Sequence, residues 1–278
     1  MRRRLTLLAA LALVLARASP ATADFSFKFS TGDPDGRIAT ASRPESKGKI
    51  EIESADDFSL FVQTKVERAS FTGLLPHGFK ESDIKDVRVE IYRVFPKDSD
   101  TVRPIRVPTR TNSPSDVAFD DRESAANTLK FNVTVLDKNF KAANSVIDGI
   151  HPKPGNLTGG DGKVDGEEVR FDVVFATPFL LPADHYFFIP QVELAGDKDN
   201  FLWLSAAHPQ FTGDLQSWIR NADLDPDWLR IGTDIVGGTT FNGSFSLLGT
   251  LLPAPPGIVL AGTGLIGLLG YGLRRRRA

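Results

Sequence analysis

The chain has 278 residues, 33 Lys and Arg against 35 Asp and Glu, and no cysteine, which excludes disulfides, thiolate zinc sites and cysteine nucleophiles together. Its formal net charge of −2 hides an asymmetry, because eight arginines sit in the two terminal segments. Setting them aside leaves 25 basic against 35 acidic side chains, so the body carries about −10, a balance that argues against nucleic acid or anionic lipid as its partner.

In chain order, Arg2, Arg3 and Arg4 precede an apolar run from Leu5 to Ala16. Ala21-Thr22-Ala23 then offers small side chains where a signal peptidase reads them. This predicts a signal peptide over 1–23, with Ala21 and Ala23 as recognition residues and Asp24 as the first mature residue. The apolar run is too short for a spanning helix.

The body, 24–251, reads as strands between proline-punctuated loops. Phe25 to Phe29 alternates aromatic and polar residues, and Asp33-Pro34-Asp35-Gly36 has turn chemistry. Lys49 to Glu53, Phe58 to Val62 and Ala69 to Leu74 continue the period of two, and Asp86 to Phe95 shows it most clearly. Residues 96–127 carry prolines among Ser, Thr and Asp and predict a long surface excursion. Strands resume at Leu129 to Val135, a short helical turn is predicted over Phe140 to Ile147, and Glu168 to Phe175 is again a strand. His185 to Ile189 and Phe201 to Ser205 are too apolar for an edge and predict central strands. Leu215 to Ala222, with Asp214 as N-cap, is the best helix candidate, and Thr240 to Leu248 closes the body as a last strand. About ten strands, one or two short helices and no βαβ rhythm predict a mainly β chain: one antiparallel sandwich of jelly-roll or immunoglobulin-like type.

Few residues in this body point to chemistry. The sequence has no H-E-x-x-H, G-x-S-x-G or P-loop spacing, and the four histidines, His77, His151, His185 and His208, are isolated. Asp184-His185 could be half of an acid/base pair or a satisfied strand-end histidine. Two acidic runs are calcium candidates. The first, Asp161 to Glu168, is shaped loosely like an EF-hand loop but has Lys163 at a ligand position. The second, Asp223-Leu224-Asp225-Pro226-Asp227, sets carboxylates at alternate positions and also reads as a solvated loop. Trp218 and Trp228 bracket that second run; they either stack on a sugar or anchor the loop on the core.

The chain closes, over 252–278, with Pro253-Ala254-Pro255-Pro256, an uncharged Gly-rich apolar run from Ile258 to Leu273, and Arg274, Arg275, Arg276 and Arg277. As a helix the sixteen apolar residues span about 24 Å, enough to cross a thinned bilayer with the arginines kept on the cytoplasmic side.

This layout resembles the PEP-CTERM sorting tails of Gram-negative bacteria: a short Pro motif, a Gly-rich single transmembrane helix and an Arg cluster. In this sequence Pro-Ala-Pro-Pro stands where the family has Pro-Glu-Pro, so the acidic centre is missing. The resemblance covers about a tenth of the chain and implies export, transient anchoring in the inner membrane, and cleavage near the Pro motif by an exosortase. It further implies display at the cell surface or in exopolysaccharide. The resulting expectation is a non-enzymatic surface or matrix protein whose partners are signal peptidase, an exosortase-like enzyme and exopolysaccharide, with no cofactor beyond a candidate calcium ion. A carbohydrate-binding, lectin-like module and a secreted hydrolase are the alternatives.

Overall fold

The computed structural model describes residues 25–46, 48–94, 113–147, 150, 157–196, 199–222, 228–238 and 240–252. The predicted signal peptide with its cleavage residues, the tail from Pro253 onward, the Asp223 to Asp227 run and His151 all lie outside them.

The described chain is mainly β, in two sheets. Its strands are β1 (Phe25–Ser30), β2 (Pro34–Ala41), β3 (Ile52–Leu60), β4 (Thr64–Leu75), β5 (Ile84–Val94), β6 (Pro114–Glu123), β7 (Leu129–Ala142) and β8 (Asn144–Val146). They continue with β9 (Val164–Leu181), β10 (Asp184–Leu194), β11 (Leu202–Ala206), β12 (Ser217–Asn221), β13 (Leu229–Arg230), β14 (Asn242–Gly243) and β15 (Phe245–Leu251). The first sheet is centred on β4. One flank of β4 pairs β9, which pairs β7; the other flank is shared by β15 near its start and β11 near its end. β1 pairs β15, while β2 and then β8 extend the sheet from β11. The second sheet runs β13-β12-β3-β10-β5-β6.

The main core lies between the sheets and is unusually aromatic. Phe71 stacks on Phe171 at 4.9 Å and Phe188 on Phe245 at 4.9 Å, each pair combining rings from different strands. Burying such rings contributes about 1.5–3 kcal/mol apiece and supplies the cohesion that a cysteine-free body needs. The core also fixes where glycine is required. A Cβ on Gly73 would sit 2.2 Å from the Phe201 ring and 2.7 Å from the Leu202 carbonyl oxygen. Gly73→Ala is therefore expected to destabilise the body by about 1–3 kcal/mol, read as a lower denaturant midpoint at unchanged slope.

The central strands at 185–189 and 201–205 are where the apolar pattern predicted them, as β10 and β11. The structure corrects several other expectations. β2 and β8 pair in parallel, so the sheets are not wholly antiparallel, and Pro34 to Gly36 begin β2 where a turn was expected. Leu215 to Ala222 is not a helix: Ser217–Asn221 is β12, paired with residues 52–56 of β3. Its alternation of Trp218 and Arg220 with Ser217 and Ile219 serves two faces that are both buried, and this outweighs local helix preference. Phe140 to Ile147 contains the end of β7 and all of β8, not a helical turn. Within the predicted excursion, Pro114–Glu123 forms edge strand β6. The last predicted strand is two, β14 and β15.

Candidate functional site

Period-two geometry sends alternate residues of each strand to opposite faces. In β3, Phe58 and Leu60 enter the core, so Glu53, Ala55 and Asp57 face outward from the second sheet. Phe187, Ile189 and Gln191 of β10 share that outer face with Arg88, Glu90 and Tyr92 of β5 and with Trp218 and Arg220 of β12. An outer face would ordinarily be wet, but this one is covered: Trp228, Trp218 and Tyr92 are all at most 4% exposed.

Under that cover lies a charged network. The Tyr92 hydroxyl donates to Glu53 Oε1 at 2.6 Å, Arg220 Nε donates to Glu53 Oε2, and Arg220 Nη2 donates to the Tyr92 oxygen at 3.1 Å. The Arg220 guanidinium also lies 4.6 Å from the centre of the Trp228 ring. Arg88 bridges Glu123 at 3.0 Å and Glu90 at 3.6 Å, and Gln191 Nε2 donates to Glu51 Oε1 at 3.1 Å. Burial, then the nearby Glu53 charge, pushes the Glu90 carboxyl up to about 8 against the pull of Arg88. Burial also raises Glu51 and drives the Tyr92 hydroxyl above its ordinary range. Raised this far, the Glu90 carboxyl favours its protonated form at neutral pH. Paired carboxylates can act as acid and base, but both are buried, Glu53 held by Tyr92 and Arg220 and Glu90 lying beside Arg88.

Nearer the start of β10, His185 Nε2 lies 2.7 Å from Asp57 Oδ2, and Asp57 Oδ1 accepts the Gln216 backbone N–H at 2.7 Å. The imidazole stacks on Phe187 at 5.6 Å. Burial raises the Asp57 carboxyl, opposed by its bond to His185. The histidine's carboxylate partner is therefore Asp57, not Asp184. Asp184 Oδ1 instead accepts the backbone N–H of His185 at 2.9 Å, and its other oxygen sits 3.6 Å from Arg93. Asp57 and His185 supply an orienting acid and a base, but among the described residues no hydroxyl is hydrogen-bonded to the ring to complete a nucleophilic triad.

On the inner side of the same strand, Asp56 is fully buried and joins the two sheets. It accepts from Ser217 Oγ at 2.7 Å, from Asn242 Nδ2 at 2.8 Å and from the Gly243 backbone N–H. Asn242 in turn bonds His208 Nδ1 at 2.7 Å. Burial and the neighbouring Asp57 hold the Asp56 carboxyl well above its ordinary range.

The other sequence candidates disperse. Trp218 and Trp228 are 3% and 1% exposed, so they anchor the outer face and present no indole surface to a sugar. In the first acidic run, Asp161 Oδ2 accepts the Ile147 backbone N–H, Asp165 pairs His77 at 2.8 Å, and Glu167 accepts from Gly78. β9 begins at Val164, so Asp165 to Glu168 form part of a strand, and the EF-hand resemblance fails. Among the described residues no three acid or histidine side chains converge as a metal site.

Sequence reasoning missed Glu53, Asp57, Glu90, Tyr92 and Arg220. Their only sequence signal is acids inside a β-patterned run, Glu51 to Asp57, whose partners lie on strands remote in the chain. No family model matches the chain, and no curated protein or solved structure matches it.

Proposed function

We propose that the chain is an exported surface or matrix protein with no enzymatic activity of its own, its body a sandwich of jelly-roll or immunoglobulin-like type. In this reading a signal peptide over 1–23 directs export. The tail over 252–278 then holds the body at the inner membrane until an exosortase-like enzyme releases it to the cell surface or to exopolysaccharide.

One observation carries the reading. The described strands run from β1, which includes Phe25 next to the predicted mature start, to β15, which ends at Leu251 ahead of the Pro block. The two strands lie side by side, Phe25 opposite Leu251. Cutting at both predicted processing sites would therefore remove none of the described strands. The engagement of Glu53, Glu90 and Asp56 by protein partners favours structural over catalytic work for these acids. The Asp57–His185 pair is the feature that favours the hydrolase alternative, which requires turnover that is lost in His185→Ala.

Mass spectrometry of the extracellular form from the native host tests the sorting reading. The expected species begins at Asp24 and ends between Pro253 and Gly257, without the apolar run and arginines. A chain intact through Ala278 in that fraction would reduce the tail to a simple membrane anchor.

A further inference from the structure

One end of the body is built from two connections between the sheets. Residues 61–63 link β3 to β4, and residues 182–183 link β9 to β10. They run side by side, because Leu60 is opposite Asp184 in one sheet and Thr64 is opposite Leu181 in the other. Their sequences, Phe61-Val62-Gln63 and Leu180-Leu181-Pro182-Ala183, carry no charge. Phe61 is 92% exposed, Leu180 53% and Val62 42%. A phenylalanine presented this fully at a loop tip contributes nothing to the core. The charges around it form a rim: Lys65 is paired with Glu67 at 2.7 Å, and Arg93 lies 3.6 Å from Asp184.

The last described residues lie at this same end. Leu251 is opposite Thr64, and the Leu252 backbone N–H donates to the Gln63 carbonyl oxygen at 2.8 Å. Six residue steps separate Leu252 from Ile258, the start of the apolar run, and span at most about 20 Å. If Ile258 enters the hydrocarbon, as the tail reading above requires, much of that length crosses the headgroup layer. Leu252 and the loop bonded to it then stand at the membrane surface.

We propose that the Phe61–Val62 tip, flanked by Leu180, docks into the interface of the lipid bilayer that holds the tail. The occupant is lipid because the tether places lipid there and because an uncharged aromatic and aliphatic tip with a paired ionic rim suits the headgroup–acyl boundary. Attraction to anionic lipid is not required, consistent with an acidic body. The tip fixes the orientation of the body on the membrane and holds the Pro block close to the bilayer surface.

The three tryptophans, Trp203, Trp218 and Trp228, are at most 3% exposed, so an added indole at the tip can be read against a shielded background. The full chain carrying Phe61→Trp would be reconstituted into phosphatidylcholine vesicles whose acyl chains are brominated near the headgroup. A second chain would carry His77→Trp, beyond the far end of β4 and about 35 Å away along the strand. The Phe61→Trp indole is expected to lose most of its emission and shift to shorter wavelength, while the His77→Trp indole keeps its emission. Equal emission from the two chains in vesicles that have taken up the protein overturns the docking tip and leaves the tail reading standing. Failure of the wild-type chain to float with vesicles overturns both.

Discussion

The body is expected to be markedly more stable at pH 5 than at pH 8, the reverse of the acid sensitivity common among acidic proteins. Glu90 titrates at 4.5 when unfolded and at about 8 when folded. Between those values the folded chain holds a proton that the unfolded chain has released, so stability falls as pH rises across this window. A single such group contributes on the order of 1.4 kcal/mol per pH unit inside it. Glu51, Asp56, Asp57 and Glu168 are likewise raised by burial and act with the same sign. The exposed His77, raised by Asp165, also loses its stabilising charge as pH rises. Thermal melts should therefore show the midpoint falling on the order of 5–15 °C from pH 5 to pH 8, at roughly 2–4 °C per kcal/mol for a body of this size. Glu90→Gln removes the titration without removing the side chain's bulk. It is expected to flatten the profile and raise the midpoint at pH 8; a profile as steep as wild type would mean that Glu90 is not the group responsible.

Arg220→Met is expected to be the most damaging single change on the outer face, at about 3–5 kcal/mol. Arg220 and Glu53 are both buried, and removing the cation leaves an uncompensated carboxylate beneath Trp228. The Tyr92 hydroxyl then loses a donor, and the Trp228 face loses the guanidinium that lies over it. The informative comparison is with Glu53→Leu/Arg220→Met, which removes both charges. Denaturant titrations should recover most of the loss in the double variant, because the cost comes from the stranded charge. Equal losses in the single and double variants would show instead that the packing of the arginine stem dominates.

Strands with strict alternation and apolar runs of central character were legible in the sequence, as β5 and β10 show. β12 was not. In an eight-residue window, Leu215, Trp218, Ile219 and Ala222 fit helical spacing as well as Trp218 and Arg220 fit a strand, and only pairing with β3 decides between them. The charged network was illegible for a related reason. Glu51 and Glu53 alternating with Ile50 and Ile52 predict a strand with one wet face. That face is dry because Trp228 and Trp218 close over it, and no local pattern announces such a cover. Asp57 could be matched to His185 only once β3 and β10 were known to be neighbours, whereas adjacency in sequence pointed to Asp184.

The pairing of β1 with β15 also sets an order of events in folding. Among the described strands the first lies alongside the last, so the seam that joins them cannot close until β15 is available. Closing so long a loop is entropically costly and is favoured late, after the sheet around β4 has formed. Until β15 is in place, β1 has no neighbour among the described strands of this sheet, so it is the strand held loose longest.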